Sequence, residues 1–244
     1  MNILCFIRKI KLSEDNYNAI VFEKKNKVYS FINPYGYHLL RKNIDLYNQL
    51  DGLFVDGILM CIYIRIFYKY KITRRSFDMT TVSRDLFARL KNSRETIYFV
   101  GAKQNEIETT VRLIRATYPT IQIKGFRNGY FGSDQERLEC MNEIVDLDPD
   151  FVVVGMGAIL QEKFIVQLHK QGFKGISFTC GGYLRQASVG LEYFPKWSEK
   201  YHLRAFYRLY KEKGMFKRLY NVLIEFPILF IYDFFSLFFI KKNR

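Results

Sequence analysis

Two aspartates stand where acid–base or sugar-binding chemistry is possible. Asp56 closes the apolar run 52–55 and precedes Gly57. A carboxylate at the end of a buried strand is partly desolvated and is placed to act as a general base, but Asp-Gly is also a common turn, and position alone does not separate these roles. Asp78 is able to hydrogen-bond a sugar or to cap the following helix, and its local pattern favours the cap.

A glycine turn after the apolar run 151–154 is a candidate nucleotide site. Gly155 and Gly157 form the turn, and Gln161 and Glu162 follow at a helix start. Open α/β sheets bind ligands where a buried parallel strand ends in such a turn. The third glycine of a dinucleotide fingerprint and the Walker lysine motif are both lacking, which disfavours nicotinamide chemistry and ATP hydrolysis.

A second turn, with Gly101 and Lys103, follows the run 96–100 and opens another helix. Free N–H groups, the helix dipole and the lysine charge favour a phosphate there, although an ordinary β-turn with a surface lysine fits the same residues. Asp146 and Asp148 have the D-x-D spacing of metal-nucleotide sites, but they precede a strand instead of ending one, which argues against a metal site. The scattered histidines show no zinc spacing.

Apolar runs that alternate with helical patterns predict the elements that position these residues. We predict strands at residues 27–33, 52–56, 96–101, 121–125, 151–155 and 175–181, and helices at 37–48, 105–117 and 134–145. Strand, glycine and helix in repeated order indicate an α/β fold with a Rossmann-like parallel sheet flanked by helices.

Composition favours a folded protein with an anionic partner. The 244 residues are 49% apolar and carry a net charge of +14, which suits a phosphorylated ligand, an acidic lipid surface or nucleic acid. The four cysteines are far apart and lie in apolar surroundings, which is typical of free thiols in a reducing compartment. The N-terminus resembles no secretory signal. We expect an α/β core at residues 1–192 and an appendage at residues 193–244.

The appendage contains an apolar, aromatic segment at residues 219–240 with basic residues on both sides. Asn221, Glu225, Asp233 and Ser236 fall on one polar stripe of a helix, and Pro227 interrupts that helix or starts a new one. The pattern favours an amphipathic helix on a membrane surface. A spanning helix and a docked or dimer-forming helix remain alternatives.

Taken in chain order, a set of motifs resembles the WecG/TagA/CpsF glycosyltransferases over roughly residues 29–220. The motifs are Asp56-Gly57, Arg75-Ser-Phe-Asp78, Phe99-Val-Gly101, Tyr118-Pro119, Gly129-Tyr130-Phe131, Val154-Gly-Met-Gly157 with Gln161-Glu162, Gly181-Gly182, and Phe206-Tyr-Arg208-Leu209 with Arg218. The resemblance implies inverting, metal-independent transfer of a sugar from a UDP donor to a polyprenyl-diphosphate-linked saccharide, without a cofactor. The sugar would be N-acetylmannosamine or a related hexosamine or uronic acid, for a capsule, O-antigen or other surface polysaccharide.

The resemblance makes Asp56 the catalytic base and implies that the C-terminal arginines meet phosphate charge. The expected substrate-binding residues are Asn33, Asp78, Gly101, Lys103, Gly129, Tyr130, Gly155, Gly157, Gln161, Glu162, Arg208 and Arg218. Phe31 and Ile159 replace a threonine and a proline that are frequent in the family. These departures fit a capsule or O-antigen variant better than a teichoic acid enzyme.

The expected partners are the UDP-sugar, the polyprenyl-diphosphate-linked glycan and an anionic membrane surface, with a homo-oligomer left open. The expected location is peripheral, on the cytoplasmic face of the bacterial plasma membrane. The alternative is a noncatalytic, basic membrane-associated or nucleic-acid-binding protein. No recognition-helix or RNA-binding-sheet motif favours nucleic acid, which we therefore do not expect as a partner.

Overall fold

Six strands form one sheet in the computed structural model, which describes residues 3–15, 17, 22–23, 25–195, 207 and 219–242. The strands are β1 (Lys27–Ile32), β2 (Gly52–Val55), β3 (Thr96–Gly101), β4 (Gln122–Arg127), β5 (Phe151–Gly155) and β6 (Ile176–Thr179). Their order is β2-β1-β6-β5-β3-β4, and every pair is parallel. The predicted α/β fold is confirmed, with all six strands at the expected places to within three residues.

Helices connect these strands. They are α1 (Ile3–Asp15), α2 (Tyr37–Lys42), α3 (Ile44–Asn48), α4 (Ile58–Tyr68), α5 (Val82–Lys91), α6 (Gln104–Thr117), α7 (Asp134–Leu147), α8 (Leu160–Lys170) and α9 (Tyr183–Ala187). The single helix predicted at 37–48 is wrong in one respect, because Asn43 leaves helical geometry (φ −129°) and separates α2 from α3. The sequence patterns did not predict α1, α4 or α9.

Alternate residues of β1, β2, β3 and β5 enter two hydrophobic cores, one on each face of the sheet. In β5, Val152 and Val154 contribute to the core shared with α1, α4 and α8, while Phe151 and Val153 enter the core shared with α5 and α6. A sheet that is covered on both faces explains why its strands read as continuous apolar runs. Cys61, Cys140 and Cys180 are buried, Cys5 is half-buried, and all four are free thiols as predicted.

The C-terminal segment forms one continuous helix that changes from π to α hydrogen bonding. A π-helix (Asn221–Glu225) leads directly into α10 (Phe226–Lys242), and Pro227 is the second residue of α10. Proline has no N–H group to donate to the preceding turn, and directly before it the Phe226 N–H bonds to Asn221 O in π geometry. Of the two predicted roles for Pro227, interruption of the regular helix is the one that fits this change of geometry.

The tail, defined as residues 219–242, packs on the core through an aromatic cluster. Phe226 and Phe230 are buried and contact the rings of Tyr37 and Tyr63, while Phe234 contacts Phe67. The helix is therefore docked, which was one of the alternatives. No helix within the described ranges combines the length and apolar character needed to cross a bilayer.

The predicted polar stripe of the tail is wrong, because Asp233 faces the protein. Its side chain is only 4% exposed and accepts a hydrogen bond from the Tyr37 hydroxyl at 2.9 Å. Arg41 donates from Nη2 to Asp233 Oδ1 at 3.1 Å, and its Nε lies 2.8 Å from Oδ2 without hydrogen-bond alignment. The tail instead exposes large apolar and aromatic side chains: Tyr220, Leu223, Ile224, Ile228, Tyr232 and Phe235. A buried ionic anchor thus holds a helix whose outer face is apolar.

Candidate active site

A cleft of about 1540 Å³ opens at the carboxyl edge of the sheet. It is lined by the residues that follow β1, β2, β5 and β6, together with Leu219, Val222 and Leu223 of the tail. Nine predicted site residues lie on its walls: Asn33, Asp56, Asp78, Gly129, Tyr130, Gly155, Gly157, Gln161 and Glu162. Parallel strands bring these distant positions together because all their carboxyl ends meet at one edge.

Asp56 stands at the end of β2 with its carboxylate 37% exposed toward the cleft. Its backbone N–H donates to Ile32 O at 2.8 Å, which continues the pairing of β1 with β2. Arg75 N–H donates to Val55 O at 2.9 Å, so the segment after α4 returns beside this strand end. This return places the guanidinium of Arg74 3.3 Å from Asp56 Oδ1.

Arg74 connects Asp56 to a second carboxylate. It donates to Ser76 Oγ at 2.8 Å and lies 3.8 Å from Asp78 Oδ2, to which Ser76 Oγ donates at 2.7 Å. The predicted helix-cap role of Asp78 is wrong, because Thr81 occupies the N-cap of α5. Asp78 Oδ1 instead accepts from the Thr80 N–H at 2.9 Å and so fixes the loop before that helix.

Gln161 and Glu162 open α8 on a buried polar network. Gln161 Nε2 donates to Glu162 Oε1 at 3.0 Å, and Gln161 Oε1 accepts from the Gly181 N–H at 3.1 Å. Glu162 also accepts from Ser30 Oγ at 2.8 Å and from the Ile159 N–H at 2.6 Å. Burial raises the pKa of Glu162, while these donors act in the opposite direction. The network fixes the first turn of α8 against β1 and β6.

The two glycine turns differ in the space beside their backbone. Gly157 has φ +84°, and a Cβ built there would meet no atom within 4 Å, so its backbone faces free space in the cleft. Gly101 has φ +144°, and a Cβ there would lie 2.3 Å from Gly155 O, so this glycine permits close strand packing. Neither Gly101 nor the exposed Lys103 lines the cleft. Glu106 Oε2 accepts from the Lys103 N–H at 2.9 Å and supplies negative charge to the start of α6.

Other predicted residues shape the cleft walls. Asn33 Oδ1 accepts from the Gly36 N–H at 2.8 Å and so holds the turn after β1. Gly129 donates to Ala102 O at 3.0 Å, which draws its loop against the end of β3, and Tyr130 is 67% exposed beside it. Arg208 and Arg218 lie outside the described residues. Asp146 and Asp148 lie at the end of α7, before β5, and do not line the cleft.

The charge of the cleft is opposite to that of the whole chain. Its described lining carries the carboxylates of Asp56, Asp78, Glu106, Glu162 and Glu192, and the guanidinium groups of Arg74 and Arg185. The net charge of the chain is nevertheless +14. Within the described ranges, no cluster of three His, Cys, Asp or Glu side chains is arranged to hold a metal ion.

The sequence reasoning missed Arg74, Arg185 and the buried hydroxyls of Ser30 and Thr179. The basic pair at 74–75 was a visible signal, but only the return of the chain along β2 shows which arginine reaches Asp56. Arg75 points elsewhere, since its guanidinium stacks 3.4 Å above the ring of Tyr17.

Comparisons with known proteins agree with the motifs. The sequence profile of the Glycosyl transferase WecG/TagA/CpsF family matches residues 8–238. A UDP-Gal:alpha-D-GlcNAc-diphosphoundecaprenol beta-1,4-galactosyltransferase of Shigella boydii is 29% identical over 216 residues, which cover 88% of this chain and 90% of the relative. An N-acetylglucosaminyldiphosphoundecaprenol N-acetyl-beta-D-mannosaminyltransferase of Bacillus subtilis (strain 168) is 28% identical over 207 residues, which cover 82% and 77%. The profile match over most of the chain favours an enzyme over the noncatalytic alternative. The chain therefore belongs to the WecG/TagA/CpsF family of glycosyltransferases.

Proposed function

We propose that this enzyme transfers a hexosyl group from a UDP-sugar to N-acetylglucosaminyl-diphosphoundecaprenol, with inversion at the anomeric carbon. The observation that carries the proposal is the Asp56 carboxylate, which stands beside Arg74 at the wall of a cleft of about 1540 Å³. Both relatives described above are named for acceptors of this class and for β-linked products. A cleft of this size exceeds the roughly 300–1,000 Å³ of typical small-ligand pockets and suits two substrates.

Asp56 is the general base of the proposed reaction. It takes the proton of the acceptor hydroxyl while that oxygen forms a bond to the anomeric carbon of the donor. The bond from that carbon to the UDP oxygen breaks, and UDP leaves with the electron pair. Attack from the face opposite the leaving group inverts the anomeric centre in one step.

Arg74 is the positioning residue for this base. Its guanidinium lies between the carboxylates of Asp56 and Asp78, at 3.3 Å and 3.8 Å, and holds both in their orientation toward the cleft. It also occupies the space between them in which a divalent cation would bind. This arrangement supports metal-independent transfer.

The departing UDP needs positive charge that the described cleft supplies only in part, because carboxylates outnumber arginines on its walls. We propose that Arg208 and Arg218 provide the remainder and stabilise the negative charge that develops on the diphosphate. The open backbone at Gly157 is the proposed contact for a donor phosphate. Gln161 is the proposed sugar-side contact, held in place by Glu162.

The proposed location is the cytoplasmic face of the bacterial plasma membrane, where the lipid part of the acceptor lies. The outward apolar face of the tail supports peripheral attachment, since exposed side chains such as Ile228 and Tyr232 suit the boundary between head groups and acyl chains. Residues 193–244 are accordingly proposed as the membrane-associating appendage of an α/β core at residues 1–192.

Metal-free transfer by the full chain tests the function. Purified enzyme with EDTA is given UDP-N-acetylmannosamine, UDP-galactose or a UDP-uronic acid, together with a lipid-diphosphate-linked N-acetylglucosamine acceptor. UDP release and product mass are followed together. We expect Asp56→Asn to lower turnover by about 10²–10⁴-fold while UDP binding is unchanged, because only the proton acceptor is removed.

Asp134→Asn is the matched control, because the Asp134 side chain is 91% exposed and does not line the cleft. Its turnover should equal that of the wild type. Normal turnover by Asp56→Asn would refute the base assignment. No product with any UDP-sugar would refute the proposed substrate class.

A further inference from the structure

An exposed apolar stripe runs along α4, away from the tail itself. Ile58, Ile62 and Ile66 recur every fourth residue and are 37%, 40% and 55% exposed. Side chains at this spacing lie above one another on one face of a helix. The three isoleucines, one per helical turn, are in contact with water and form an apolar patch. Such patches on soluble domains mark interaction surfaces. These three residues are called the α4 stripe below.

The α4 stripe lies next to the surface on which the tail docks. Tyr63 and Phe67 occupy the adjacent row of α4, and their rings contact Phe226, Phe230 and Phe234 of the tail at centroid distances of 5.0–5.9 Å. One row of α4 therefore holds the tail, while the neighbouring row stays exposed.

Both apolar surfaces reach the cleft. Ile58 begins the α4 stripe and Leu223 lies on the exposed side of the tail, and each also lines the cleft wall. A lipid-linked acceptor whose sugar lies in the cleft would leave it past these two side chains. The α4 stripe thus extends the apolar surface of the tail on the side of the reaction centre.

The far end of the α4 stripe is basic. Arg65, Lys69 and Lys71 are all exposed, and no acidic residue occurs between positions 58 and 71. Isoleucines followed by exposed cations match the boundary of an anionic bilayer, where acyl chains lie beneath phosphate head groups. A symmetric contact with a second copy would instead leave these cations without an anionic partner, since the same patch meets itself in such a dimer and residues 58–71 include no carboxylate.

We propose that the α4 stripe, with its basic end, is a second membrane-contact surface that binds anionic lipid and works alongside the tail. The proposal rests on the lipid-linked acceptor of the proposed function. Two contact surfaces fix the tilt of the enzyme on the bilayer, whereas a single helix would let it rotate about the helix axis. The tilt holds the cleft at the height of the acceptor diphosphate.

Vesicle co-flotation of the full chain tests the surface. Wild type, the double variant Ile62→Gln/Ile66→Gln and the triple variant Arg65→Gln/Lys69→Gln/Lys71→Gln are mixed with phosphatidylcholine vesicles that contain or lack phosphatidylglycerol. The isoleucine variant should partition about tenfold less onto both vesicle types, because it loses apolar burial. The cation variant should lose only the preference for phosphatidylglycerol.

Leu147→Gln is the control, because Leu147 is 36% exposed at the end of α7 and lies outside both surfaces. Thermal unfolding checks that each variant is folded. Equal flotation of wild type and the isoleucine variant would overturn the proposal, as would a wild-type dimer that the same substitutions convert to a monomer. Flotation is measured without any sugar substrate, so failure of the proposed transferase reaction would appear separately in the turnover assay.

Discussion

Replacement of Asp233 by asparagine should release the tail from the core without unfolding the sheet. The variant keeps the size of the side chain and the acceptor for the Tyr37 hydroxyl, but it removes the charge opposite Arg41. An amide NH₂ group also faces the guanidinium, where two carboxylate oxygens stood. The perturbation is therefore limited to one buried ionic contact.

The expected cost follows from the burial of the two partners. Breaking a fully buried ion pair costs about 3–5 kcal/mol, because one charge stays desolvated without a partner. Asp233 is 4% exposed, but Arg41 keeps 27% of its side chain exposed and is able to regain water. We therefore expect about 2 kcal/mol, which corresponds to about a thirtyfold increase in the population of the undocked tail.

Hydrogen exchange followed by mass spectrometry measures this population. Peptides from residues 226–236 should exchange about thirtyfold faster in Asp233→Asn, while peptides from β3 and β5 exchange at the wild-type rate. Ile228→Asn is the matched control, because it places the same residue in the same helix at a position that is 62% exposed. Unchanged exchange in the tail, or equal acceleration in tail and sheet, would refute the anchor role of Asp233.

Two further predictions concern stability. Burial lowers the pKa of His169 from 6.5 to about 4, and the ring contacts Ser177 and Asn26. The unfolded chain binds a proton below pH 6.5 while the folded protein does not, so stability present at pH 7 falls by about 2 kcal/mol by pH 5. His169→Gln should flatten this slope in urea unfolding, and an equal slope in both proteins would contradict the assignment. Gly101→Ala should destabilise the fold by about 3 kcal/mol or more, because its Cβ would lie 2.3 Å from Gly155 O at φ +144°. Gly190→Ala, with open space around the new Cβ, should keep the wild-type melting temperature, and equal melting of both variants would show that the close approach is relaxed at no cost.

The sheet was predictable because most of its strands are short apolar runs that are followed by a turn residue. Asp56 and Gly155 each follow such a run, and the parallel arrangement then brings both to one edge. Most of the predicted site residues line one cleft for this reason. These runs are recognisable because β2, β3, β5 and β6 are buried on both faces and so contain few polar residues.

The features that the sequence did not predict depend on contacts between segments that are distant in the chain. The apolar run at 58–68 has no strong polar face, so its periodicity did not separate a helix from a buried strand. Asp233 looked like part of a polar surface because its partners, Tyr37 and Arg41, are nearly 200 positions away in the chain. Arg74 reaches Asp56 only because residues 69–75 return along β2 after α4.

The docked tail also determines when the packing of this core can be completed during synthesis. Tyr37, Tyr63 and Phe67 are made early, but the rings that cover them belong to Phe226, Phe230 and Phe234. Phe226 follows Tyr37 by about 190 residues, so at 5–20 residues per second its ring is made on the order of 10–40 seconds later. Until then Tyr37, Tyr63 and Phe67 lack the tail rings that pack on them in the folded protein, so this part of the core closes only after the tail has been made.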